Sequence, residues 1–169
     1  MPDETVLYYC DTVTLCNFAF AKRLDLLTTR YGTRLQITPT VQDEIADGIA
    51  AGYTILHEIE KTITTGMFGA SGVLNNPERD IFRDLLRTLS PGEASSIACA
   101  QTRGGIVITD DKAARAACQD HTVKFTGTIG ILKACCRDEI LSPREADTVL
   151  QAMVDAGYFS PVSNISGLL

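Results

Sequence analysis

The stretch that most constrains this chain is residues 104–115, GGIVITDDKAAR. Ile106, Val107 and Ile108 form a short β-branched run, bounded by Gly104–Gly105 before it and by polar residues after it. That is the pattern of a buried strand in a parallel sheet. The run stops at Thr109, Asp110 and Asp111, and residues 112–118 are Ala-rich and helical in character. In an open α/β sheet, chemistry collects at the carboxyl ends of the strands, where strand gives way to helix. Adjacent carboxylates at such an edge are costly unless a cation, a proton or a helix N-terminus compensates them. The plainer account is that Thr109 or Asp110 caps the helix that follows.

The same order of events opens the chain. Residues 5–10 (TVLYYC) predict a first buried strand ending in Asp11-Thr12, and a helical stretch follows with Leu15, Phe18, Ala19, Leu24, Leu26 and Leu27 as its apolar positions. Asp11 taken alone is an N-cap. Residues 34–38 predict a second strand, after which Pro39 occupies a first helical position. On that helix Val41, Ile45 and Ile49 share one face, and Asp43 and Asp47 fall on the far side as solvated charges. Glu44 lies at the border of the apolar stripe, where a carboxylate suits a cleft better than open solvent.

Residues 53–65 predict a helix, and residues 66–77 (GMFGASGVLNNP) a loop or flexible excursion. Residues 78–89 form a further helix with Ile81, Phe82, Leu85, Leu86 and Leu89 on its buried face. Arg79, Arg83 and Arg87 make a stripe beside Asp80 and Asp84, which predicts a salt-bridged solvent face; a phosphate-contacting ridge is the sharper alternative. Ser90-Pro91-Gly92-Glu93 is a capping box. It explains Glu93 without catalysis, and it also sets Glu93 at the mouth of a helix just before the strand that ends in Asp110–Asp111. Residues 123–125 allow a further strand. Gly127-Thr128-Ile129-Gly130 then opens a helix with neither the lysine of a phosphate loop nor the spacing of a dinucleotide fingerprint, so its glycines point to tight packing at a turn. Ser142 and Glu145 make a second capping box, with Gly157 as a natural stop.

Three short strands, with a fourth at Val123, separated by long helical segments predict an α/β fold, a three-layer α/β/α domain on a central parallel sheet. A single domain over residues 1–160 is expected, with an apolar C-terminal tail, 161–169, that docks on the domain or on a second subunit. The chain shows no charged-then-apolar leader and no apolar run of about 18 residues, so no membrane contact and a cytoplasmic location are expected. Its six cysteines form no CxxC pair and lie near neither His57 nor His121, which makes them core thiols rather than zinc ligands. A net charge of −6 argues against a non-specific nucleic-acid coat but not against an enzyme that touches nucleic acid locally.

Each acid has a plain explanation. Jointly, Asp11, Glu44, Glu93, Asp110 and Asp111 are the pattern of a carboxylate cluster that binds divalent metal and activates water for attack on a phosphodiester. Hard oxygen ligands without neighbouring His or Cys suit Mg²⁺ or Mn²⁺.

In these motifs the chain resembles the PIN-domain nucleases, in particular VapC-type toxins and their uncharacterised relatives. The resemblance rests on Asp11-Thr12 after the first strand, on Pro39-x-Val41-x-x-Glu44, on the Gly92-Glu93-Ala94 run through Ala100, and on Thr109-x-Asp111. It implies a metal-dependent endoribonuclease that acts on RNA, usually a homodimer and often the toxin of a toxin–antitoxin pair. The antitoxin's Arg or hydrophobic segment would fill the acidic cleft. Asp11, Glu44, Glu93 and Asp111 would bind one or two Mg²⁺ or Mn²⁺, Asp110 would ligate directly or from behind them, and Thr109 would orient the cluster. Lys112, Arg115 and the Arg79–Arg83–Arg87 ridge are the candidate RNA contacts. The alternatives are a non-catalytic PIN-like module that binds nucleic acid or protein, and a DNA nuclease of related fold. A phosphatase of the DxDxT type is disfavoured because position 13 is Val13.

Overall fold

Five strands, β1 (Tyr8–Cys10), β2 (Leu35–Ile37), β3 (Gly69–Ala70), β4 (Ile106–Ile108) and β5 (Lys124–Thr126), run parallel in the order β3-β2-β1-β4-β5. This computed structural model describes residues 4–169; the first three residues of the expected 1–160 domain lie outside the described residues. The strands are so short that alternation decides everything about them. Tyr8 and Cys10, with Ile106 and Ile108, face one core, while Tyr9 and Val107 face the other.

The first face is covered by α1 (Thr12–Phe20), α2 (Leu24–Arg30), α3 (Pro39–Ala50), α4 (Leu56–Thr64), α8 (Thr128–Arg137) and α9 (Pro143–Asp155). The opposite face is covered by α5 (Asn76–Leu85), α6 (Pro91–Arg103) and α7 (Lys112–Asp120). Helix α6 is buried without a break from Ala94 to Ala100, and its small residues let it lie between α5 and the sheet. The three-layer α/β/α architecture expected from the sequence is therefore present. Cys10, Cys99, Cys118 and Cys135 are buried among the core side chains.

Several local expectations need correction. Residues 66–77 are not simply a loop: Gly69 and Ala70 pair with Gln36 and Ile37 as the fifth strand. Glycine permits this, because a Cβ at Gly69 would overlap the Thr33 carbonyl and the Gln36 amide. Helix α5 ends before Leu86, which is 39% exposed. The C-terminal tail takes the first of its two expected places, on its own domain: Ile165 is fully buried, and the Ile165 and Ser166 amides donate to Asp147 Oδ1 at 2.6 and 3.0 Å.

A buried ion pair ties the β3 segment to α5 and α6. Glu78, fully buried, caps α5 together with Asn75 and accepts both Arg103 Nε (2.7 Å) and Arg103 Nη2 (2.9 Å). Arg103 also donates to the Ser71 carbonyl at 2.6 Å. The Arg103 guanidinium, aided by the Thr102 hydroxyl and the Asn75 amide, lowers the Glu78 carboxyl from 4.5 to about 2. Burial acts in the opposite sense and loses. Arg103→Ala would leave that carboxylate buried and unpaired. The expected loss is about 2 to 4 kcal/mol at pH 7, toward the lower part of the range for a broken buried pair because Arg103 is 27% exposed. Because the folded pKa is depressed, this contribution is present above about 4.5 and is lost as pH falls towards about 2. Urea midpoints of the two proteins should therefore converge through that window, and equal midpoints at pH 7 would refute the assignment.

Candidate active site

The chain leaves β1 for β2 on one side and later returns to β4 on the other, so β1 and β4 are neighbours across the point where the winding reverses. In this class of sheet that crevice, at the carboxyl ends of the strands, is where sites form. Cys10 pairs with Ile108, so Asp11 and the Thr109-Asp110-Asp111 run emerge side by side, and the Asp11 amide donates to the Ile108 carbonyl at 3.2 Å.

Asp11 is 4% exposed. Its Oδ1 accepts the Thr14 amide at 2.7 Å and so caps α1, and the buried Thr109 hydroxyl favours its ionised form. The same Thr109 oxygen accepts the Asp111 amide at 3.1 Å. Asp111 caps α7, accepting the Ala114 amide at 2.7 Å, so the cap expected of Thr109 or Asp110 is supplied one residue later. Glu93 closes the capping box of α6 on the Ser90 amide at 3.2 Å. Glu44 reaches across from α3: its Oε1 accepts the Gly92 amide at 2.7 Å and its Oε2 accepts the Thr12 hydroxyl. A Cβ on Gly92 would lie 2.4 Å from Glu44 Oε2, so only glycine lets this carboxylate approach the N-terminus of α6. The contact between Thr38 and Ser95 hydroxyls, 2.7 Å, fixes α3 against α6 at the same place.

Asp110 points to a different duty. Its Oδ1 accepts the Thr128 amide at 3.0 Å and Arg115 Nη2 at 3.2 Å, and its Oδ2 accepts the Thr128 hydroxyl and, at 3.5 Å, the Asn17 amide group. A Cβ at Gly127 would overlap both Asp110 and Arg115. Asp110 thus ties β4 to α8 and α1, and Arg115, which also donates to the Thr109 carbonyl, neutralises it. Lys112 is exposed at the first position of α7. Arg83 on α5 and Arg87 just beyond its end pair with Asp80 and Asp84 at 3.4 and 3.9 Å, all four well exposed, and Arg79 is exposed on α5. This is the solvated face the sequence predicted for the ridge.

The electrostatics of the remaining acids are uncompensated by side chains. Among the described residues Asp11, Glu44, Glu93 and Asp111 make no ion pair. Burial raises the Asp11 carboxyl above its ordinary value, and the charge of Asp110 adds to the shift. Burial also raises Glu93, with Asp111 and Asp11 adding repulsion. No group of three or more His, Cys, Asp or Glu among the described residues stands at ready-made metal-holding spacing. The donors suit a hard divalent cation all the same: every one is a carboxylate oxygen, and Asp111 Oδ2 and Glu93 Oε1 have no hydrogen-bond partner among the described residues.

Sequence reasoning gave no site role to Thr12, Asn17, Gly92 and Thr128, which hold the acids rather than supply charge. Thr12 directly follows an acid at a strand end, and Gly92 stands between a helix-starting proline and an acid; both patterns are visible signals. Nothing local marks Asn17, which meets Asp110 and Thr128 across 93 and 111 residues.

Asn at position 11 would keep the cap on Thr14 and remove the buried charge. Because the folded carboxyl has a raised pKa, its ionised form opposes folding above that pKa, and the cost disappears as pH falls below it. Asp11→Asn should therefore raise Tm at pH 7 by about 2–4 °C, the shift that about 1 kcal/mol produces in a chain of this size. The difference should vanish on acidification, and Mn²⁺ should raise Tm of the wild type but not of the variant. A variant less stable than the wild type at pH 7 would contradict this account of Asp11.

No helix among the described residues is long and apolar enough to cross a membrane. No curated protein and no solved structure matches the chain. A PIN-domain family model does match it, over residues 7–169, a span that takes in every strand and every acid described above. By that match over nearly its whole length, this chain belongs to the PIN-domain family.

Proposed function

We propose that the protein is an endoribonuclease that hydrolyses RNA phosphodiester bonds with Mg²⁺ or Mn²⁺. PIN domains are generally nucleases and typically use divalent metals, which supports a hydrolase. The observation that carries the finer reading is Asp11: a buried carboxylate with no cation partner, set at the reversal point of the sheet where Glu93 and Asp111 bring further negative charge.

Asp11, Glu93 and Asp111 would hold the metal, with Glu44 completing the acidic wall. A bound divalent ion supplies an activated water and offsets the charge that develops on the phosphate and the leaving oxygen. The chain's own residues do the rest. The Thr109 hydroxyl accepts the Asp111 amide and favours the ionised form of Asp11. Thr12 and the Gly92 amide hold Glu44 against α6. Lys112 and Arg115, beside the acids, are the candidate contacts to RNA phosphates. The proposed setting, a cytoplasmic and dimeric toxin restrained by an antitoxin, rests on the family resemblance alone.

The test is cleavage of tRNA and of synthetic single-stranded RNA in Mn²⁺ or Mg²⁺, with EDTA as the control. Wild type should cut only with metal, and Asp11→Asn combined with Asp111→Asn should reduce the rate by about 100-fold or more, the scale of losing preorganised electrostatic stabilisation. Gly92→Ala should fold with Tm close to wild type, yet lose about tenfold in rate because its methyl displaces Glu44. Cutting of DNA alone would make this a DNA nuclease. Metal binding without cutting of either nucleic acid would favour the non-catalytic module.

A further inference from the structure

Two cavities of about 470 and 520 Å³ adjoin along the exposed sheet edge at β5, sharing Phe125, Thr126 and Gly130 in their walls. Both volumes fall within the range of small-ligand sites, roughly 300–1,000 Å³. The nearer cavity reaches Asp110 and Arg115, at the flank of the acids, and is rimmed by Tyr158 and Phe159. The farther one ends at Lys124, Arg137 and Arg30. Together they make one groove that starts beside Asp110.

The lining of this groove inverts the charge of the chain. The protein carries −6, yet the groove's walls hold four cations against one acid: Arg115 is paired with Asp110, the buried Arg30 is paired with Asp138 at 2.9 Å, and Lys124 and Arg137 remain to meet an anion. Lys124 and Arg137 are exposed and make no ion pair among the described residues. Phe159 is 94% exposed, and the Arg115 guanidinium lies over the Phe125 ring at 5.4 Å from its centre. A lysine on an edge strand is also a common guard against edge-to-edge pairing, which would account for Lys124. It does not account for Phe159, nor for cations from α7 and α8 lining the same walls.

Cations beside stacking faces, in a groove whose near end is lined by Asp110, next in sequence to Asp111, are the chemistry of single-stranded nucleic-acid binding. We propose that the β5–α8 groove holds single-stranded RNA continuing out of the acidic site, with phosphates on Lys124 and Arg137 and a base stacked on Phe159. This deepens the nuclease reading and rests on it. It also assigns the RNA path to this edge rather than to the Arg79–Arg83–Arg87 ridge.

Binding of a fluorescein-labelled single-stranded RNA 12-mer, followed by anisotropy in EDTA, separates the groove from the chemistry; cleavage of the same RNA in Mn²⁺ runs in parallel. Lys124→Ala with Arg137→Ala should weaken binding about tenfold and lower the slope of log affinity against log salt by about 1.4, about 0.7 for each phosphate that is no longer neutralised. Phe159→Ala should weaken binding about fivefold or more and abolish quenching of a 2-aminopurine base in the oligonucleotide. Arg83→Ala with Arg87→Ala should bind as wild type does. Groove variants that bind and cleave like wild type would overturn the groove and leave the nuclease reading standing. A wild type that binds no RNA would overturn the groove as well. Groove-dependent binding without metal-dependent cutting would uphold the groove and refute the nuclease.

Discussion

Carboxylates placed side by side at one edge of a sheet repel, and this protein pairs one of them, Asp110, with an arginine and sets the other four against helix N-termini. Asp11 caps α1, Asp111 caps α7, Glu93 closes the box of α6, and Glu44 accepts an amide from the first turn of α6. Each such end contributes about 0.3–1 kcal/mol to a carboxylate at the surface and up to about 2 in a partly buried geometry. That falls short of offsetting desolvation plus neighbouring charge, since burial and repulsion still raise the proton affinity of Asp11 and Glu93. The arrangement is folded but electrostatically unfinished, which is the condition in which a cation gains most by binding.

The two adjacent aspartates show how the backbone divides labour. Asp110 and Asp111 leave β4 in succession, and successive side chains of an extended segment point opposite ways. One meets Thr128, Asn17 and Arg115 on the α8 side and is neutralised there. The other turns back to cap α7 beside Thr109 and keeps an oxygen without a partner. Gly127 and Gly92 are the sequence's counterpart to this geometry. Each removes a Cβ that would otherwise occupy a carboxylate oxygen's position.

Much of this was legible in the sequence, for a physical reason. Strand, acid and helix follow one another within a few residues at Asp11 and again at Asp111, so local pattern alone placed both at strand ends. The capping boxes at Ser90 and Ser142 are likewise local, and both form. What failed was non-local or too short for any periodicity. Strand β3 is two residues of small side chains, stabilised by pairing with Gln36 and Ile37, and no alternation can be read in two residues. The pairs Glu78–Arg103, Glu44–Gly92 and Asn17–Thr128 span 25, 48 and 111 residues and depend on how the layers close. Leu86 continued a helical stripe by spacing, but α5 had already ended, and the leucine faces outward.

Capping and the proposed chemistry are compatible in these acids. A carboxylate has two oxygens. In Asp111 and Glu93 the cap uses one of them, which fixes the side chain against rigid backbone amides and leaves the other oxygen unspent. Holding a reactive group on the end of a helix costs little side-chain entropy at the moment of ligand binding, because the cap has already removed it. A surface aspartate with the same charge and no cap would have to lose that freedom on binding. In the proposed site these helix starts would hold the acids ready for a ligand, and Glu44, with both oxygens committed to Gly92 and Thr12, would have to rearrange most to serve as one.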